Sequence, residues 1–282
     1  MAIKYRAAVL HSVQTPMSIE TITASELKPN DVLVRVRAAG LCHTDLEVIQ
    51  GTLAYPMPIV LGHEGAGVVE AVGSAVTRVK KGDHVICSWN PHCGHCFYCE
   101  RGVPILCEPY KRNEPRGRLL DGSSRLSRDG APVNHFFTTS THAELTVVPE
   151  SGAIAVSKEI PFDRACIIGC GVMTGVGAVV RKAKVEPGAS VLVIGCGAVG
   201  LNALQGARLA GAATIIAADV GPAKLDRAKA FGATHAVDAG AADVVDQVRA
   251  LTGGRGADHV LEAAGHASAF RLAVEAVRPA GP

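Results

Sequence analysis

The sequence predicts an α/β protein: a mainly β N-terminal part followed by a doubly wound parallel sheet. Three observations predict it. Short apolar runs punctuated by Gly and Pro fill roughly the first 150 residues. Strand-like and helix-like runs alternate from Glu186 onward. The first strand-to-helix junction of that alternation carries a Gly-rich turn.

In the N-terminal part, residues 32–38 put Val32, Val34, Val36 and Ala38 on one face and Arg35 and Arg37 on the other, the period-2 pattern of a half-buried strand. Residues 67–72 form another short run before Gly73. Strands this short suit a barrel or a curved sheet. Between Tyr110 and His135 the side chains of Lys111, Arg112, Arg116, Arg118, Arg125 and Arg128 stand among Gly, Ser and Asp, which predicts a long surface excursion. In the C-terminal part, strands over 190–194, 214–218, 233–237 and 259–262 alternate with a helix bearing Leu201, Leu204, Ala207 and Leu209 and with helices over 223–231, 242–251 and 267–277. Four strands are visible where a full dinucleotide-binding sheet has six. The sheet is therefore expected to be incomplete. The domains are expected at 1–171 and 172–282.

Of the 282 residues, 48% are hydrophobic and 19% charged, enough apolar material for a substantial core. A net charge of +2, with Lys and Arg scattered, lacks the electrostatic footprint of a nucleic-acid binder. Mean hydropathy is +0.23, yet no stretch reaches the ~18 apolar residues of a membrane span. The first ten residues, with Lys4 and Arg6, do not read as a secretory signal. The expected location is the cytoplasm and the expected partner a small molecule. Nine cysteines in that reducing compartment point to metal or redox chemistry before disulfides.

Gly195, Gly197 and Gly200 form G-x-G-x-x-G, with Ala198 and Val199 between the last two, directly after a strand and before a helix. Gly195 allows the turn, Gly197 lets the backbone approach a pyrophosphate, and Gly200 permits close helix packing. The helix N-terminus offers free N–H groups to phosphates. Asp219, nineteen positions on, would accept from a ribose, and its charge favours NAD over NADP. Lys224 is within reach of the same ribose. Cys93, Cys96, Cys99 and Cys107 read C-x2-C-x2-C-x7-C, a lobe over 93–107 able to wrap one tetrahedral ion. Zinc suits four sulfurs without redox chemistry; an iron–sulfur centre is the competitor. Cys42, His63 and Cys170 are scattered, and each alone reads as a core residue.

Taken in order, Gly-Leu-Cys-His-Thr-Asp (40–45), Gly-His-Glu-Gly-Ala-Gly (62–67), the four-cysteine run, Gly-Cys-Gly-Val-Met-Thr-Gly (169–175) and Gly-Cys-Gly-Ala-Val-Gly (195–200) resemble the zinc-dependent medium-chain alcohol dehydrogenases. Residues 120–125 and 134–137 resemble the long loop of the branch containing the glutathione-dependent formaldehyde dehydrogenases. The resemblance implies a GroES-like β-barrel catalytic domain beside a Rossmann cofactor domain, two zinc ions per chain and NAD. It implies that Cys42, His63 and Cys170 ligate a catalytic zinc, with Glu64 behind the metal and Asp45 orienting His63. It places His43 at the cofactor pyrophosphate, Thr174 against the nicotinamide, and Thr44 at the first proton step from the alcohol. In many relatives a histidine ends that relay; here the position is Glu47, which can be a base or a solvated helix residue.

Trp89 stands where relatives place an aromatic near zinc, which favours primary alcohols, aliphatic or aryl. Leu53 replaces the acidic residue with which formaldehyde dehydrogenases grip a thiol adduct, and Lys111 only partly matches their arginine. The expected function is reversible zinc-assisted hydride transfer between an alcohol and NAD. A thiol-dependent formaldehyde dehydrogenase is the enzymatic alternative, and a non-catalytic nucleotide-binding protein the other. Members of the family run on beyond residue 282, so a missing C-terminal segment is expected, and a homodimer for the longer chain. Cys87, Cys166 and Cys196 are assigned to core packing.

Overall fold

The computed structural model describes residues 3–281, and the chain divides into two compact units, Met1–Cys170 and Gly171–Pro282. The first unit is mainly β. Its strands are β1 (Ile3–Leu10), β2 (Ser18–Ala24), β3 (Asp31–Ala39), β4 (Ile59–Val60), β5 (Gly65–Val72), β6 (His84–Cys87), β7 (Leu126–Arg128), β8 (Ala131–His135), β9 (Leu145–Pro149) and β10 (Ala153–Ala155). A closed barrel runs β1-β2-β7-β8-β4, and a second sheet runs β10-β6-β5-β3-β9. One apolar core joins them: Tyr5, Ala7, Val9 and Ile22 of the barrel meet Leu33, Leu145 and Val147 of the sheet.

Strand β3 departs from the half-buried expectation. Asp31, Val32, Leu33 and Val34 are all buried, and the predicted alternation holds only from Arg35 on, where Arg35, Arg37 and Ala39 are exposed and Val36 and Ala38 half-buried. The reason is position: β3 is flanked by β5 and β9, Leu33 faces the barrel core, and Val32 and Val34 face a second cluster with Val69, Val85 and Val148.

The surface excursion predicted over 110–135 is also corrected. That segment supplies β7 and β8, two staves of the barrel, and buries Tyr110, Glu114, Leu119, Leu126 and His135. Arg125, read as a surface cation, is 3% exposed and forms a two-pronged ion pair with Asp31 at 2.5 and 3.1 Å. A buried arginine is tolerated only when paired in this way, and its partner lies far upstream in the sequence.

Four short helices belong to the same unit: α1 (His43–Gln50), α2 (Phe97–Glu100), α3 (Glu108–Asn113) and α4 (Phe162–Ala165). The second unit opens with α5 (Gly171–Gly177) and continues β11 (Ser190–Ile194), α6 (Ala198–Leu209), β12 (Thr214–Asp219), α7 (Pro222–Ala230), β13 (His235–Asp238), α8 (Val244–Leu251), β14 (His259–Glu262) and α9 (Ala267–Ala276). Its strands are parallel in the order β13-β12-β11-β14. Val191 and Val193 pack with Leu201 and Leu204 of α6 on one face, while Leu192, Ile194 and Ile216 pack with Val248 and Leu272 of α8 and α9 on the other. Coverage on both faces is why β11 and β12 read as unbroken apolar runs.

Candidate metal centres and dinucleotide loop

Cys42 precedes α1 as its N-cap residue, and the helix is set by Asp45 at its third position, whose Oδ2 accepts the Cys42 backbone N–H at 3.1 Å. The other oxygen, Oδ1, accepts the N–H of Gly62 at 2.9 Å, and Nδ1 of His63 stands 3.3 Å from Oδ2. One buried carboxylate therefore ties two distant segments together, capping α1 and facing the His63 ring. Gly62 adopts φ +94, and a Cβ there would strike the His142 backbone N at 2.5 Å, so only glycine carries His63 into place. Cys170 arrives from the end of the first unit, where Gly169 passes close to the Cys87 carbonyl.

Donor atoms of Cys42, His63, Glu64 and Cys170 all lie within 4.8 Å of one another. The hydrogen bond from Cys170 draws the Cys42 thiol down to about 3 against the opposing effect of burial, while Cys170 itself is pushed up. Burial works to lower the His63 imidazole, but Asp45 and Cys42 beside it raise it to about 9. Burial raises Glu64. Two sulfurs next to an imidazole and a carboxylate form the soft donor set that a dication would hold. The residues fit zinc. The hydroxyl of Thr44 is 3.7 Å from the Cys42 sulfur; Glu47 is half-buried on α1, and His43 is exposed.

Aromatic rings gather about His63, and of these sequence reasoning assigned only Trp89 to the site. Phe136 and Phe137 meet its ring at 5.5 and 5.4 Å between centroids, Trp89 meets Phe137 at 5.5 Å, and Tyr55 meets Phe136 at 5.0 Å. Leu53 packs in the cluster that includes Tyr55, Met57 and Phe137. The turn carrying the phenylalanines is strained: Phe137, Thr138 and Ser140 have φ of 46, 58 and 51, a conformation costing about 1–3 kcal/mol per non-Gly residue. Hydrogen bonds over-determine it. Thr139 Oγ1 donates to the Gly62 carbonyl at 3.0 Å, the Thr141 N–H donates to the same oxygen at 2.9 Å, and the Phe136 N–H donates to Ser140 Oγ at 3.0 Å. Two adjacent phenylalanines in a chain with 4% aromatic residues were the only available signal.

The other sulfur cluster is local. Cys96 N-caps α2, Cys107 N-caps α3, and the sulfurs of Cys93, Cys96, Cys99 and Cys107 lie within 4.8 Å of one another. The sulfurs of Cys96 and Cys99 are 3.5 Å apart and those of Cys93 and Cys99 4.0 Å, bracketing the roughly 3.8 Å edge of a tetrahedron with ~2.3 Å zinc–sulfur bonds. Backbone N–H groups of Cys93 and Glu108 point at Cys107 and Cys96 sulfur at 3.3 and 3.5 Å. All nine cysteines are free thiols, and Cys87, Cys166 and Cys196 are buried in apolar clusters.

In the second unit the three loop glycines are glycine for three reasons. Gly195 takes φ +94 and leaves no room for a Cβ against Ala264; a Cβ on Gly200 would meet the Gly195 carbonyl at 1.7 Å; and a Cβ on Gly197 would meet nothing within 4 Å. The chain itself therefore leaves the space over Gly197 open, as a pyrophosphate at the α6 N-terminus, where Ala198 and Val199 begin the helix, requires. Asp219 is 6% exposed and accepts from the N–H groups of Cys196 and Gly221 at 2.8 and 2.9 Å, which hold it ionised despite burial. Lys224 lies 3.5 Å from it, and Thr174 is exposed on α5. Among the described residues no single helix is long and apolar enough to cross a membrane.

Residues 28–158 match the family model for the alcohol dehydrogenase GroES-like domain, and residues 198–282 match that for zinc-binding dehydrogenase. An S-(hydroxymethyl)glutathione dehydrogenase of Escherichia coli O139:H28 is 42% identical over 274 residues, which are 96% of this chain and 74% of that protein. Among solved structures, an alcohol dehydrogenase zinc-binding domain protein from Burkholderia ambifaria superposes with TM-score 0.94 at 41% identity, over 100% of this chain and 76% of its own. The benzyl alcohol dehydrogenase of Acinetobacter calcoaceticus gives 0.92 at 35% identity, over 99% and 75%.

Proposed function

The chain belongs to the zinc-dependent alcohol dehydrogenase family and is an oxidoreductase; from that premise we propose that it transfers hydride between a primary alcohol, aliphatic or aryl, and NAD. The observation that carries this is the convergence of Cys42, His63 and Cys170, from three separate segments, beside Thr44. Counting Cys42, His63 and Cys170 as ligands, with Glu64 behind the metal, leaves a position for substrate, in contrast to the closed four-cysteine set. Bound zinc supplies Lewis acidity that lowers the pKa of the alcohol, and bound NAD supplies the hydride acceptor. Cys42, His63 and Cys170 hold the metal, and Asp45 keeps the His63 ring turned so that Nε2 is free for it. Thr44 takes the alcohol proton and passes one onward, because a hydroxyl both accepts and donates. Glu47 is an acceptor further along that helix, with water as the competing exit.

In the other unit the open space at Gly197 supports a pyrophosphate, Asp219 supports a ribose diol, and its fixed charge works against a 2′-phosphate. His43 and Thr174 are assigned to the cofactor on the resemblance of their motifs. A cytoplasmic setting would keep the thiols reduced.

The 42% identical relative favours a second reading, oxidation of a thiol–formaldehyde adduct. Against it, Leu53 lies in an apolar cluster with no charge to grip such an adduct, and the Lys111 amine lies over the Tyr110 ring at 6.0 Å. NADH absorbance with a panel of alcohols, and with formaldehyde plus glutathione, separates them. Benzyl-type or short aliphatic alcohols are expected to be oxidised at least about tenfold faster, because the polar groups of the adduct find no partner in the apolar cluster around Leu53. A preference for the adduct would overturn the free-alcohol assignment.

A further inference from the structure

Gly62 adjoins a metal ligand, and at φ +94 with no side chain it is the most permissive link in the segment that carries His63. Its N–H is held by Asp45 at 2.9 Å, and its carbonyl accepts from two donors, the Thr141 N–H at 2.9 Å and the Thr139 hydroxyl at 3.0 Å. A carbonyl oxygen has two lone pairs, so two donors fix its direction where one would leave the peptide free to rock about a single bond. Thr139 is fully buried, and its hydroxyl lies equally near the Phe136 carbonyl, at 3.1 Å. One side chain therefore stands between the backbone that carries His63 and the backbone that carries the ring 5.5 Å from it. Thr139 is itself held from behind: the hydroxyl of Thr146, fully buried on β9, donates to its carbonyl. Because β9 pairs along β3, the restraint is anchored in the second sheet.

We propose that Thr139 is a positioning residue for the metal centre: its hydroxyl, buttressed by Thr146, fixes the Gly62 peptide, and so sets where the His63 imidazole stands relative to Cys42 and Cys170 and ties the aromatic turn to that ligand. The proposal deepens the alcohol dehydrogenase reading and rests on it for turnover alone, since metal binding is read without substrate. Thr141 supplies the contrast. It lies in the same turn, is buried as deeply and packs against both Gly62 and Gly65, yet its hydroxyl has no hydrogen-bond partner among the described residues. Exchanging hydroxyl for methyl at Thr139 removes a bond to Gly62; the same exchange at Thr141 removes none and keeps its backbone N–H in place.

The experiment compares wild type with Thr139→Val, Thr139→Ser, Thr141→Val and Thr146→Val, reading Zn2+ retention against a chelator, the visible absorption of the Co2+-substituted protein, and kcat/KM for benzyl alcohol. For Thr139→Val the expected result is Zn2+ held about tenfold more weakly at the Cys42–His63–Cys170 centre, an altered Co2+ spectrum for that centre, a similar loss in kcat/KM, and the metal of the four-cysteine lobe unchanged. Thr139→Ser, which keeps the hydroxyl, is expected to return to within about twofold of wild type, and Thr141→Val to stay within the same margin. Should Thr139→Val not fold, Thr146→Val removes the buttress alone and is expected to weaken the same centre about threefold. An unchanged Co2+ spectrum and Zn2+ affinity in the folded variant, equal losses in Thr139→Val and Thr141→Val, or no recovery in Thr139→Ser overturns the proposal. A wild-type protein that oxidises no alcohol, with its Co2+ spectrum still responding to Thr139→Val, overturns the proposed function and supports the positioning role.

Discussion

The two sulfur-bearing centres of the first unit are built on opposite plans. The four-cysteine lobe draws every donor from one short stretch, Cys93 to Cys107, with its cysteines half-exposed except for buried Cys107. The other centre gathers Cys42, His63 and Cys170 from three places and depends on buried Asp45, Gly62 and the strained turn to bring them together. A metal in the first organises a loop; a metal in the second occupies a site that the fold has already organised. Stability should follow the one and activity the other.

The sharpest break of that contrast is a pair of substitutions. His63→Ala is expected to lower kcat/KM by about a thousandfold or more while one zinc per chain remains and the melting temperature shifts little. Cys99→Ser is expected to release the other zinc and lower the melting temperature by about 5–10 °C, with activity per folded molecule largely kept. Metal analysis beside calorimetry checks both. A His63→Ala protein that melts early, or a Cys99→Ser protein inactive while folded, would merge the two plans into one.

A smaller effect tests how the scattered centre is held. Asp45→Asn keeps the shape of the side chain but loses the charge facing His63 and can accept through one oxygen only. A loss of about 10–100-fold in zinc affinity or activity is expected, measured by competition with a chelator. No loss would mean that packing alone aims His63.

The smallest effect concerns acid. His135 is fully buried at the base of the turn, takes the Arg125 N–H at 3.1 Å, and is lowered to about 3 by burial first and by nearby arginines second. Its folded value lies below the unfolded one of ~6.5, so the unfolded chain takes the proton first. Stability is therefore full above about pH 6.5 and declines as pH falls towards 3, by at most about 1.4 kcal/mol per pH unit. Urea denaturation at pH 7.5 and 5.0, followed by Trp89 emission, should show this decline for wild type, with a shallower one for His135→Asn. Equal slopes would clear His135.

The difference between the centres also explains what could be read in advance. The cysteine spacing and the three loop glycines were legible because their neighbours in space are their neighbours in sequence. The strands and helices of the second unit were legible because each buries a periodic face. Cys42, His63 and Cys170 were weak signals singly and became readable only through the family resemblance of their motifs. Segment 110–135 was misread because the burial of Arg125 depends on Asp31, far upstream, which local polarity cannot reveal. Phe137 was missed as a site residue because its orientation comes from a backbone conformation and from the Tyr55 ring packed against it, neither of which has a composition signature.

The Cys93 N–H touches the Cys107 sulfur at 3.3 Å, so the strand of chain entering the cysteine lobe and the one leaving it are already side by side. Such a neck closes the loop at its base, so an ion held by the four sulfurs would order a stretch of chain whose two ends the fold has already brought together.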